Sequence, residues 1–102
     1  MSHERPLVTI GLPVYNGMPH LEVALRTLLA QDYPNIELLI ADNASQDGTE
    51  ALCRATARQY PHVRYHRQPE NLGPALNFKW VLERARVKEQ QSTFKELMNF
   101  GA

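Results

Sequence analysis

The first apolar block, Leu7-Val8-Thr9-Ile10-Gly11-Leu12-Pro13-Val14, is rich in β-branched residues, does not alternate, and ends at a proline, Pro13. A strand with no polar face is one covered on both sides, as in a parallel sheet between helices. Tyr15-Asn16-Gly17 then turns the chain. Over residues 19–30, Leu21, Ala24, Leu25, Leu28 and Leu29 recur at helical spacing, predicting an amphipathic helix stopped around Asp32-Tyr33-Pro34-Asn35. Ile36-Glu37-Leu38-Leu39-Ile40-Ala41 is again almost continuously apolar and predicts a second, central strand, which delivers the polar loop Asp42-Asn43-Ala44-Ser45. Ser45 or Asp47 can cap the next helix, and Asp47 with Glu50 has capping-box spacing. That helix carries Leu52, Ala55 and Thr56 on one face and finishes near Tyr60-Pro61.

Val63-Arg64-Tyr65-His66 alternates apolar and polar, as a half-covered edge strand does. Asn71-Leu72-Gly73-Pro74 is a turn whose proline suits the first position of a third helix, with Ala75, Phe78, Val81, Leu82 and Ala85 as its inner stripe. The order β-α-β-α-β-α predicts an α/β fold with a parallel sheet and right-handed crossovers. The end of the chain behaves differently. Continuing the stripe from Ala85 lands on Glu89, Ser92 and Glu96, all polar, while Val87, Gln91, Phe94, Leu97 and Met98 line another face. Residues 87–102 are therefore expected to form a helical tail out of phase with the helix before it, through a change of partner or of sequence origin.

Composition narrows the function classes. The chain has 102 residues, enough for one small domain, with eleven basic and eleven acidic side chains and a formal net charge of zero. That balance argues against a nucleic-acid partner or a basic membrane-binding surface. A single cysteine, Cys53, makes no internal disulfide and reads as a small core residue rather than a nucleophile. No apolar run approaches the roughly 20 residues of a spanning helix, and the first residues lack a signal-peptide core, so a cytoplasmic location is expected. His3, His20, His62 and His66 are scattered without metal-ligand spacing and read as surface residues.

In open parallel sheets ligands bind at the carboxyl ends of strands. Polar clusters fall there at residues 13–17, 42–45 and 69–74, and helix starts at residues 17–19, 45–47 and 73–74 aim amide donors at the same edge, which suits a phosphate. Asp42 at the end of the second strand is the acceptor that a sugar hydroxyl or base imide needs, although Asp42, Ser45 and Asp47 would equally serve as helix and loop caps, and Tyr15 as a packing residue. Neither the dinucleotide-binding glycine pattern nor a P-loop occurs.

Three ordered stretches resemble family 2 glycosyltransferases: Val8-Thr9-Ile10-Gly11-Leu12-Pro13-Val14-Tyr15-Asn16-Gly17, then residues 28–49 with Asp42-Asn43-Ala44-Ser45-Gln46-Asp47-Gly48-Thr49, then residues 67–78 with Asn71-Leu72-Gly73-Pro74. The resemblance implies a Rossmann-like, three-layer half of a GT-A domain over residues 6–86, with about three parallel strands in the order 3-2-1. It implies that Pro13, Tyr15 and Asn43 line a base pocket with Asp42 beside them, where many members have a second Asp at the position of Asn43. With Asn16 and Ser45 in the same turns, and Asn71, Gly73, Asn77 and Lys79 toward the ribose and diphosphate, these make up the expected nucleotide-binding set. The implied partners are a nucleotide-diphosphate sugar and an acceptor glycan or other hydroxyl compound.

Complete members continue with a fourth strand and an Asp-x-Asp-type motif that holds manganese or magnesium on the leaving diphosphate. Here no Asp follows Asp47, so neither catalytic residues nor a metal site are expected in this chain, and it reads as a truncated portion inactive alone. A non-catalytic nucleotide-binding module and an unrelated flavodoxin-like binding domain are the alternatives. Without a fourth strand, the apolar first strand is an unprotected edge. That predicts a homodimer pairing first strands or swapping tails, or a poorly soluble chain, with the tail folding back over its own edge as the competing outcome.

Overall fold

The computed structural model describes residues 8–30, 36–88 and 93–97. Its elements are β1 (Val8–Val14), α1 (His20–Leu29), β2 (Ile36–Asp42), α2 (Thr49–Gln59), β3 (Val63–Arg67), α3 (Pro74–Lys88) and β4 (Thr93–Leu97). All strand pairs are parallel, in the order β3-β2-β1-β4. The expected β3-β2-β1 core is present, with its flanking helices.

The two faces of the sheet are covered unequally. Ile10, Leu12, Val14, Leu38, Ile40 and Val63 meet Leu21, Leu25 and Leu28 of α1 and Cys53 of α2 in the main core. Each such aliphatic side chain contributes roughly 1.5–3 kcal/mol by leaving water. On the other face a small cluster of Leu39, Ala41 and Val81 packs with Trp80.

Two expectations are corrected here. The helical tail is replaced, at residues 93–97, by β4, which pairs along β1 from Val8↔Thr93 to Gly11↔Leu97. An apolar parallel strand with open amides is a strong template, and Thr93 and Phe94 are residues a pleated edge accommodates well. The expected open edge of β1 is thus paired by its own chain over Val8–Gly11, the tail folding back as the competing expectation has it. Residues 89–92 and 98–102 of that tail lie outside the described residues.

The inner stripe of α3 is also shifted. Asn77 and Val81 are buried, whereas Ala75 is exposed and Phe78 is 40% exposed. Helical spacing marks a face but does not choose between apolar and polar anchors, and Asn77 wins its place by hydrogen bonds to the sheet. His66, expected at the surface, is half-buried and stacked on Trp80 at a centroid distance of 4.3 Å.

Cys53 is fully buried, as its reading as a core residue anticipates. Burial, with the carboxylates of Asp42 and Asp47 nearby, pushes its thiol up from about 9 to about 12. A thiol whose folded value is raised favours the fold below its unfolded value, and that contribution drains away as pH climbs from about 9 to about 12. A thiol-specific reagent at pH 8 should therefore label Cys53 only after denaturation. Rapid labelling of the native chain would contradict this.

Candidate functional site

Each of β1, β2 and β3 ends in a turn at the same edge of the sheet, and side chains of these turns bond one another. Two non-glycine residues there take left-handed backbone, Asn16 with φ 49° and Ala44 with φ 63°. Such a conformation costs about 1–2 kcal/mol for a residue with a Cβ, so contacts from elsewhere must hold it.

Ser45 supplies the first of these contacts. The Asn16 amide donates to Ser45 Oγ at 2.8 Å, and the Gln46 amide returns a bond to Asn16 Oδ1 at 2.8 Å. Beside it, the Gly17 amide donates to Thr49 Oγ1 at 2.9 Å and the Met18 amide to Asp47 Oδ2 at 3.2 Å. Asp47 also accepts from the Thr49 amide at 2.9 Å, so it caps the start of α2 from the position before the N-cap, Gly48, rather than through a capping box with Glu50. Burial works to raise the Asp47 carboxyl, but the bonds from Thr49 and Met18 outweigh it and hold the group below its ordinary value.

Asn43 ties in the third turn. It is 1% exposed, and its Nδ2 donates to Asn71 Oδ1 at 3.0 Å and to the Gly73 carbonyl at 3.1 Å. Its Oδ1 accepts from the Leu72 amide at 2.7 Å. The Gly73 amide bonds Asn71 Oδ1 at 2.8 Å, and Gly73 itself has φ 87°, a conformation that suits glycine. Asn77 anchors α3 to the sheet, donating to the Ala41 carbonyl at 2.9 Å and accepting from Gln68 Nε2 at 3.1 Å.

Of the residues singled out from the sequence, Tyr15, Asn16, Asp42, Asn43, Ser45, Asn71 and Gly73 lie in this joined set of turns. Pro13 is buried in β1 beyond the last β1–β4 pair, Gly11↔Leu97, where a strand proline is tolerated. Lys79 lies exposed, about 200° around α3 from the inward-facing Asn77 at the helix's 3.6 residues per turn. Among the described residues no hydrogen bond joins it to the turns.

The structure also separates rim from support. Tyr15 and Gly73 are half-buried and Asn16, Gln46 and Asn71 exposed, so these can meet a ligand. Asp42 is 0% exposed and its carboxylate is committed to protein donors: the Ser45 amide at 2.9 Å, Tyr65 Oη at 2.6 Å and Arg67 Nη1 at 3.3 Å. Burial and the bond to Asp42 push the Tyr65 hydroxyl well up from its ordinary value. Tyr65, Arg67 and Gln68 were not singled out from the sequence. The signal was there, since alternation along β3 puts Tyr65 and Arg67 on one face and the parallel register sets them against Ile40 and Asp42.

The rim offers amides, an aromatic ring and backbone donors, which recognise a ligand without attacking it. Among the described residues, no three His, Cys, Asp or Glu side chains converge to hold a metal ion. Asp42 is buried and spent on protein donors, and among the described residues the rim gathers no carboxylate cluster that would fit a divalent cation. A cavity of about 500 Å³ lined by Glu37, Leu39, Arg64, Tyr65, His66, Trp80 and Arg84 opens elsewhere, and shares none of the rim residues.

A parallel sheet helix-covered on both faces, with its turns gathered at the strand carboxyl ends, defines an α/β domain of the Rossmann-like kind. The sequence model of glycosyl transferase family 2 matches residues 9–88, and the chain belongs to that family. It is 40% identical over 75 residues to an uncharacterized glycosyltransferase of Rickettsia bellii, covering 72% of this chain and 11% of that protein. It is 39% identical over 75 residues to the abequosyltransferase RfbV of Salmonella typhimurium, covering 71% of this chain and 22% of that protein. Among solved structures, the mannosyltransferase PcManGT from Pyrobaculum calidifontis, in complex with GDP-Man and Mn2+, superposes with a TM-score of 0.70 at 33% identity, over 81% of this chain and 25% of that one. S. aureus TarS, in complex with UDP-GlcNAc, shares the fold with a TM-score of 0.71 at 22% identity, over 88% of this chain and 26% of that one. The chain spans between 11% and 34% of the length of eight curated relatives it matches. No helix among the described residues is long and apolar enough to cross a membrane.

Proposed function

We propose that this chain binds the nucleotide diphosphate of a nucleotide-sugar donor at the joined turns of β1, β2 and β3. It is read as the nucleotide-binding portion, residues 6–86, of a glycosyltransferase that moves a sugar to an acceptor hydroxyl. The observation that carries this reading is the stitching of three strand-end turns into one rim by Asn16, Ser45 and Asn43. Support comes from the similarity to PcManGT, whose structure holds GDP-Man. Tyr15 offers a face for the base, and Asn16, Asn71 and the rim amides offer hydrogen bonds to it and to the ribose. We read Pro13 as shaping the floor beneath Tyr15, and Asn77 as setting the start of α3 toward the diphosphate.

Among the described residues no group of three potential metal ligands forms at the rim, and on this reading binding is weak and nearly independent of manganese or magnesium. Titration of the chain with UDP, TDP and GDP, followed by amide NMR, is expected to shift residues 14–17, 42–47 and 71–73, with and without metal. Shifts confined to other residues would refute the site.

A second reading, binding without transfer, is favoured by the burial and commitment of Asp42 to protein donors, which leaves it neither base nor metal ligand at the rim. Nucleotide release from GDP- and UDP-sugars in the presence of manganese separates the two. Release no faster than without protein supports binding alone, and metal-dependent turnover supports transfer by this chain.

A further inference from the structure

Arg67 and Tyr65 stand on β3, one strand away from the turn that carries Ser45, yet they reach into its base. In the parallel register Arg67 lies against Asp42 and Tyr65 against Ile40. Tyr65 Oη donates to Asp42 Oδ2 at 2.6 Å, and Arg67 Nη1 donates to the same oxygen at 3.3 Å and to the Ser45 carbonyl at 2.9 Å. The other carboxylate oxygen, Asp42 Oδ1, takes the Ser45 amide at 2.9 Å. The Ser45 residue is therefore gripped at its N–H through Asp42 and at its C=O by Arg67. Arg67 also reaches Glu50 of α2 at 3.7 Å, and Arg54 of α2 lies over the Tyr65 ring at 5.1 Å, so both β3 side chains are themselves held in place.

The grip propagates. Ser45 Oγ receives the Asn16 amide, and Asn16 Oδ1 receives the Gln46 amide, so the left-handed Asn16 is fixed by a residue that Arg67 and Asp42 fix. Ala44, left-handed as well, sits between Asp42 and Ser45 and has no side-chain polar group of its own to stabilise that backbone.

We propose that Tyr65 and Arg67 are positioning residues of the nucleotide rim: through Asp42 and Ser45 they set the backbone of the β2–α2 turn and, through Ser45, the place of Asn16 and Tyr15. This rests on the reading of the rim as a nucleotide diphosphate site. Neither side chain need touch the ligand. Their effect on it is the preorganisation of donors that otherwise must be ordered on binding.

The test uses the full chain with Tyr65→Phe, which removes only the hydroxyl, Arg67→Met, and the conservative Arg67→Lys. Amide hydrogen exchange is measured at Asn16, Ser45 and Gln46 and, as a reference, at Ile10 and Ile40 in the central strands. UDP and GDP affinities are taken from NMR titration. In Tyr65→Phe and Arg67→Met, exchange at the three turn amides should rise about tenfold and both affinities should fall about tenfold, the equivalent of one lost hydrogen bond. Ile10 and Ile40 should keep their wild-type rates. Arg67→Lys, a single charge without the guanidinium fork, should fall between wild type and Arg67→Met.

Equal acceleration at Ile10 and Ile40 would overturn the proposal, because it would make the pair a general support of the fold. So would unchanged affinity in variants of a wild-type chain that binds. Absence of binding by the wild type would overturn the nucleotide reading instead, and unchanged exchange at Asn16 and Ser45 would then overturn the positioning role as well.

Discussion

Asn43→Asp is expected to lower stability by about 3 kcal/mol at neutral pH and by far less near pH 4. The substitution changes one group at a position that is 1% exposed. In the native chain Nδ2 points at two oxygens, Asn71 Oδ1 at 3.0 Å and the Gly73 carbonyl at 3.1 Å. An ionised aspartate has no donor, so two donated bonds become two close oxygen–oxygen repulsions around a buried charge. Burial and those oxygens raise the new carboxyl in the folded state above its usual 3.9 or so. A group raised on folding is tolerated while protonated, and its penalty appears as pH rises through the folded value. Urea unfolding of variant and wild type at pH 7 and pH 4 measures both halves. A variant as stable as wild type at pH 7 would show that the turn does not depend on this amide. The family resemblance leads one to expect Asp here in many members, and the partners of Asn43 explain why Asn stands in this chain: both turn oxygens require a donor.

That residue also shows where sequence reasoning reaches and where it stops. The layout was legible because two nearly unbroken apolar runs, residues 7–14 and 36–41, fit only central strands of a covered sheet. The polar clusters that follow each strand located the rim. What periodicity could not divide was which polar residue faces a ligand and which faces the protein. Asp42 and Asn43 are adjacent in sequence, and both are buried ties to different protein partners, Asp42 to β3 and Asn43 to the turn after it. The side chains that make Asp42 inward come from β3, 23 and 25 positions away, and only strand register brings them there. The same limit applied to residues 93–97. Their apolar spacing is compatible with a helix, and the competing demand of an open β1 edge is a property of the assembled sheet.

Asp42→Ala should be the more damaging of the two site substitutions, removing about 3–5 kcal/mol of stability and leaving much of the chain unfolded at 37 °C, given total stabilities of about 5–15 kcal/mol for such domains. Asp42 is 0% exposed and is the common acceptor for the Ser45 amide, Tyr65 Oη and Arg67 Nη1. Truncation leaves the Tyr65 hydroxyl and the Ser45 amide without their acceptor, and leaves Arg67 with Glu50, at 3.7 Å, and the Ser45 carbonyl. Arg67 keeps 29% of its side-chain surface in solvent, which places the loss toward the lower end of that range. Asp42→Asn should fall between, since one amide oxygen still takes the Ser45 N–H while its NH2 faces two donors. Calorimetric melting of the two variants checks the order. The choice of readout matters, because a nucleotide titration alone would register Asp42→Ala as lost binding and credit the carboxylate with touching the base. If Asp42→Ala keeps the wild-type melting temperature while losing nucleotide affinity, Asp42 faces the ligand and its inward assignment is wrong. If melting and affinity fall together, and Tyr65→Phe reproduces a smaller share of both, the carboxylate acts by holding the turn.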